Sequence, residues 1–136
     1  MFRAGLLSLT VILSAGAVRA AEAAPLEFRL TFDSAALNAP FTGRVFVMLS
    51  KSSPGELPQS ISWGQPEPVF AKDVVGWKPG EPLVINSTAM AFPTPMTEIA
   101  KGDWFVSAVM DRDQGDISFS AAPGNIYAKA ARQTLA

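Results

Sequence analysis

Alternation of hydrophobic and polar residues is the main pattern along this chain, and it predicts β-strands. Residues 26–33 read Leu-Glu-Phe-Arg-Leu-Thr-Phe-Asp, with an apolar residue at every second position, which is the period of a half-buried strand. A last strand is predicted at 126–135, although the alanines there could equally extend a helix. Runs rich in β-branched and aromatic residues predict the other strands, at 43–50, 69–75, 82–87 and 104–110.

Proline and glycine separate these runs. Residues 51–68 contain too many of both for a strand or helix, so we expect a long loop there. The tetrapeptide 78–81, Lys-Pro-Gly-Glu, predicts a type II turn, and residues 111–116 predict a polar turn. Short strands separated by turn signals, with little helical periodicity, indicate an all-β fold. We therefore predict an antiparallel, Ig-like β-sandwich of about 6–8 strands with long Pro-rich loops.

Two of the predicted strands, 43–50 and 104–110, are apolar on both faces. An antiparallel strand in a sandwich normally exposes one polar face to water, so the second face needs a cover. Either the Pro-rich middle of the chain folds over it or a partner domain does, because large apolar patches mark interaction sites. The candidate interface residues are Phe46, Met48, Phe105 and Val109.

The first 23 residues have the three-part pattern of a secretory signal peptide, which predicts a helix before the sandwich. Arg3 supplies the positive charge, and the apolar run 4–13 is shorter than the ~20 residues of a spanning helix. Cleavage fits after Ala20 or after Ala23, and we favour Ala23. The chain is thus expected to be secreted or periplasmic, with no membrane association after cleavage and one domain at 24–136.

The composition excludes many kinds of active site. None of the 136 residues is histidine or cysteine, so His-based nucleophile systems, His-containing zinc sites and disulfides are absent. No Gly-x-Ser-x-Gly elbow occurs either. A net charge of −1 and a pI of about 5.3 do not suggest a nucleic-acid partner. We predict a noncatalytic chain that needs no cofactor.

Two groups of residues remain as candidate sites. Asp111, Asp113 and Asp116 resemble the start of a calcium loop, but the expected glutamate at its end falls on Ala122, so a tight turn is the main alternative to a weak cation site. Trp63 and Trp77 could stack on a carbohydrate or peptide ligand, with core packing as the alternative.

Several segments together resemble one family. Residues 41–51, 66–74, 76–82, 108–113 and 123–127 are similar, in order and spacing, to the N-terminal β-sandwich module of secreted bacterial putative esterases. In that family the nucleophile, acid and histidine belong to a downstream α/β-hydrolase domain, so no catalytic residue is carried over to this chain. The resemblance implies an Ig-like sandwich and an association with ester hydrolysis.

Two functions are compatible with these observations. The first is a noncatalytic, secreted accessory module that docks on an α/β-hydrolase esterase domain or forms a homo-oligomer. The alternative is an independent secreted protein that binds a carbohydrate or peptide.

Overall fold

The computed structural model describes residues 7–10, 25–51, 67–112 and 126–135 of the chain. These residues form eight strands and one short 3-10 turn at Met96–Glu98. The strands are β1 (Leu7–Thr10), β2 (Phe28–Phe32), β3 (Phe41–Ser50), β4 (Val69–Trp77), β5 (Leu83–Ile85), β6 (Met90–Phe92), β7 (Gly102–Asp111) and β8 (Ile126–Leu135).

The strands form two sheets, in which every described pair of neighbours is antiparallel. The smaller sheet has the order β1-β2-β5, and the larger has the order β6-β4-β3-β7-β8. The two sheets pack on a shared apolar core. The prediction of an all-β, antiparallel sandwich is confirmed.

All six predicted strands are present, with small shifts at their ends, and β8 is a strand rather than a helix. β6 was not predicted, because three residues beside Pro93 are too few to show an alternation. A signal-peptide helix was predicted within the first 23 residues, but the four of them that the structure describes are not helical. Leu7–Thr10 is a strand paired with β2, since its Leu-Ser-Leu-Thr sequence has the strand period and β2 offers it backbone hydrogen bonds.

The core follows from the period of two along each strand. Phe28, Leu30 and Phe32 of β2 are buried, as their alternation predicted. Contacts between aromatic rings join the two sheets: Phe28 stacks with Phe70 of β4, at 6.1 Å between ring centroids. Phe32 meets Trp77 edge-on, at 4.7 Å.

The turn after β4 has the predicted type II geometry. Gly80 has a positive φ of 77°, and the amide of Glu81 donates to the carbonyl of Lys78 at 3.1 Å. The amide of Gly80 donates to the carbonyl of Phe32 at 2.9 Å, which attaches the turn to the smaller sheet. Trp77, the last residue of β4, donates from Nε1 to the carbonyl of Glu81 at 2.7 Å. The turn and the buried tryptophan therefore stabilise each other.

Beside this turn, β4 is only partly covered by its neighbour. β6 pairs with residues 69–71, so residues 72–77 form an edge within the described part of the sheet. At the point where this pairing ends, Lys72 donates from Nζ to the carbonyl of Val84 in β5, at 3.1 Å. The lysine thus connects the two sheets on this side of the sandwich.

At the other side of β4, its pairing with β3 contains an irregularity. The register shifts between Phe41 and Gly43 of β3, and Gly76 opposite has a left-handed φ of 64°. Gly43 passes so close to β7 that a Cβ atom on it would lie 2.7 Å from the backbone oxygen of Asp111. Only glycine allows this approach.

Candidate interaction surface

The face of the larger sheet that points away from the smaller one carries the predicted interface residues. Paired residues of antiparallel strands share a face, and Phe46 pairs with Val109 of β7 and with Ala71 of β4. Met48 pairs with Val69, which in turn pairs with Phe92 of β6. Ala71 also pairs with Met90 of β6. We call the following six residues the outer apolar patch: Phe46, Met48, Val69, Ala71, Met90 and Phe92.

The centre of this face is shielded from water. Val109 is 0% exposed, and Met48, Val69 and Val109 form a second buried cluster with Phe46 packed against it. These exposures are those of a single chain. The centre is therefore shielded within a single chain. Of the predicted Pro-rich loop 51–68, one of the two predicted covers, residues 52–66 lie outside the described residues.

Toward β6 the outer apolar patch becomes exposed. Met90 is 49% exposed and Phe92 is 40% exposed, although both are large apolar side chains. Their strand partners Ala71 and Val69 are buried, so the apolar surface continues from the exposed edge into the shielded centre. Exposed apolar area that continues a packed cluster is typical of an interaction site.

Charged residues border the patch at one end of the sheet. Arg44 lies opposite Asp73 on β4 and opposite Asp111 on β7. Its Nε donates to Asp73 at 2.7 Å and its Nη2 at 3.0 Å, a bidentate pair. The hydrogen bond from Arg44 holds the pKa of Asp73 below its usual range, and the same bond raises the pKa of Arg44.

Asp111 itself corrects a prediction. We expected it in a solvated turn, but it is the last residue of β7 and is only 5% exposed. The physical reason is its register, which places the carboxylate beside Arg44, whose pKa it helps to raise.

A second polar cluster borders the opposite end of the sheet. Asp103 of β7 accepts hydrogen bonds from the hydroxyl of Thr134, at 2.6 Å, and from Arg132 of β8. Lys51 donates from Nζ to the backbone carbonyl of Asp103 at 3.1 Å, and its ammonium lies 3.8 Å from the ring centroid of Trp104. An apolar centre between polar ends is the usual anatomy of a protein interface.

The hydroxyl of Thr134 and the guanidinium of Arg132 hold the pKa of Asp103 below its usual range. We expect Thr134→Val to raise this pKa toward the ordinary aspartate value of about 4, whereas Thr134→Ser keeps the hydroxyl and leaves it low. Because the folded-state pKa is depressed, the interaction stabilises the fold above the ordinary pKa and is lost as pH falls through the folded value. An NMR titration of the Asp103 carboxyl measures the shift, and equal pKa values in wild type and Thr134→Val would contradict it.

The other predicted site residues are not gathered at this surface. Trp77 is a core residue whose ring contacts Phe32 and Phe41, so neither face is open to a ligand. Trp63, Asp113 and Asp116 lie outside the described residues. Within the described ranges, no group of three acidic side chains could hold a metal ion.

The residues at the centre of this surface were predicted from the sequence, and those at its exposed edge were not. Phe46, Met48, Phe105 and Val109 were predicted from the doubly apolar strands, and Phe105 lies on β7 opposite Ser50 of β3. Met90 and Phe92 lie on the unpredicted strand β6. The only available signal was the pattern Met-Ala-Phe at 90–92, which is too short to distinguish from a loop.

No helix among the described residues is long and apolar enough to cross a membrane. No protein family, curated protein or solved structure matches this chain.

Proposed function

We propose that this chain is a noncatalytic, secreted β-sandwich module that binds a partner protein through the exposed side of the outer apolar patch. The observation that carries this proposal is the exposure of Met90 and Phe92 beside the buried Val69 and Ala71. A large aromatic and a methionine side chain are among the residues enriched at protein interfaces. The partner surface would therefore be apolar and would bury both side chains.

The partner we propose is an α/β-hydrolase esterase domain. The segments that resemble the esterase-associated module include 41–51, 66–74 and 108–113, and they supply β3, the first part of β4 and the end of β7. These strands form the centre of the larger sheet, whose outer face carries the patch. Under this proposal the sandwich is Ig-like, and the hydrolase domain supplies every group that reacts with the ester.

The charges at the border of the patch define its orientation toward a partner. Arg44 pairs with Asp73 and lies beside Asp111, so one cation and two acidic groups lie together at this border. Exposed ion pairs contribute little to stability, but charges at an interface rim affect the association rate and the choice of partner. The partner would present complementary charges opposite this border.

Removing the exposed apolar side chains is expected to weaken binding. We expect Met90→Ser combined with Phe92→Ser to reduce the affinity for a secreted esterase α/β-hydrolase domain at least tenfold, or about 1.4 kcal/mol. Val75→Ser is the matched control, because Val75 is 88% exposed but lies beyond Asp73 along β4, away from β6. It should change the affinity less than threefold.

Isothermal titration calorimetry with the purified hydrolase domain measures these affinities. Circular dichroism of each variant checks that the fold is kept. Absence of binding by the wild-type chain, or equal losses for the double variant and Val75→Ser, would overturn the proposed function.

A further inference from the structure

The smaller sheet depends on a strand that precedes the predicted sandwich domain. β1 pairs with β2 along four residues, from Leu7 opposite Phe32 to Thr10 opposite Arg29. β2 therefore lies between β1 and β5, and its residues Leu30 and Phe32 are buried in the core. β1 also contacts β8 of the larger sheet, so it closes this side of the sandwich.

Both cleavage sites predicted from the sequence, after Ala20 and after Ala23, fall between β1 and β2. Cleavage at either site removes β1 from the chain and leaves β2 in place. The backbone N–H and C=O groups of residues 29–32 that face β1 then lose their partners. An open edge beside buried core residues is a template for pairing with another extended chain.

We propose that this edge of β2 is a strand-acceptor site, a proposal that rests on the secretion and cleavage proposed for this chain. β1 occupies it in the precursor, and an extended segment of a partner chain occupies it in the processed protein. The site lies on the smaller sheet and is independent of the outer apolar patch.

The sequence of β1 defines the chemistry of the segment. β1 reads Leu-Ser-Leu-Thr, and its leucines lie opposite Phe32 and Leu30, the core-facing positions of β2. Leu30 and Phe32 of β2 are buried on the core side, and a residue paired with either shares that side, so the site selects an antiparallel segment with apolar residues at alternate positions. The polar positions of β1, Ser8 and Thr10, lie opposite Thr31 and Arg29.

A labelled synthetic peptide of residues 5–12 tests the site. Fluorescence anisotropy is measured with the exported, processed protein, whose first residue is determined by mass spectrometry, and with the full chain. We expect at least tenfold tighter apparent binding to the processed protein, because in the full chain the tethered β1 competes at a millimolar effective concentration. A peptide with both Leu7→Ser and Leu9→Ser is the control and should bind at least tenfold more weakly.

A second acceptor keeps the test decisive if the processed protein folds poorly alone. The full chain carrying Ser8→Pro and Leu9→Pro retains its length but loses β1 pairing, because alternate residues direct their N–H toward β2 and one of the two must be a ladder donor. It should bind the peptide as the processed protein does, with slower hydrogen exchange at residues 29–32. The proposal is overturned if the exported protein retains residues 7–10, if both peptides bind equally, or if those amides are unaffected.

Discussion

Gly43→Ala is expected to lower the free energy of unfolding by about 3–5 kcal/mol, the sum of overpacking and backbone strain. The added Cβ would lie 2.7 Å from the backbone oxygen of Asp111 and 2.8 Å from Cζ of Phe41. Neither atom can move alone, because the oxygen belongs to β7 and the ring of Phe41 is buried in the core. The substitution therefore has to separate β3 from β7, which are neighbours in the interior of the larger sheet.

Gly102→Ala separates the steric clash from the conformational cost. Gly102 also has a positive φ, 118°, but nothing lies within 4 Å of the position of its Cβ. We expect a loss of about 1–2 kcal/mol there, from backbone strain alone. Urea denaturation followed by tryptophan fluorescence gives both values, and equal losses at the two glycines would contradict the close approach of β3 to β7.

Trp77→Ala is expected to cost about 3–5 kcal/mol, as for other large aromatic side chains removed from a core. The indole contacts Phe32 and Phe41 edge-on, at 4.7 and 6.5 Å between centroids, and connects the two sheets at the end of β4. Its removal also deprives the Glu81 carbonyl of a hydrogen-bond donor. A stability loss under 1 kcal/mol would place the ring outside the core, where the interpretation of Trp77 as a ligand-binding residue put it.

Trp77→Phe is the matched variant, because it keeps an aromatic ring in the core and removes the Nε1 donor. We expect it to cost about 1–3 kcal/mol, because the hydrogen bond from Nε1 is lost and the smaller ring leaves space in the core. The difference between the two variants in the same urea titration measures the contribution of the ring. If Trp77→Phe is as destabilising as Trp77→Ala, the hydrogen bond to Glu81 rather than the packing holds this end of β4.

The strands were predictable because their local pattern carries the information. Phe28, Leu30 and Phe32 alternate with polar residues, and the proline and glycine of the turn at 78–81 fix its backbone angles without help from the rest of the fold. β6 was not predictable, since its three residues are a strand only through their pairing with β4. β6 therefore forms only as part of the tertiary structure.

The candidate surface, too, was predictable only in part. That β3 and β7 have two apolar faces is visible in the sequence, but their register is not, and the register alone places Asp111 beside Arg44. The turn predicted for Asp111 rested on its polar neighbours. The burial of Asp111 depends on its pairing with Arg44, which lies 67 positions earlier in the chain. A local sequence pattern cannot predict a contact at that separation.

Lys72 has a consequence for the solubility of the protein. Residues 72–77 of β4 are an edge within the described part of the larger sheet, and an open edge can recruit the same edge of another molecule into a continuous intermolecular sheet. Lys72 places a charged side chain on this edge, and its ammonium donates to the carbonyl of Val84 in the smaller sheet. Pairing with another molecule would be unfavourable because the ammonium would lose its contact with water. The lysine that joins the two sheets is thus expected also to disfavour intermolecular pairing through β4.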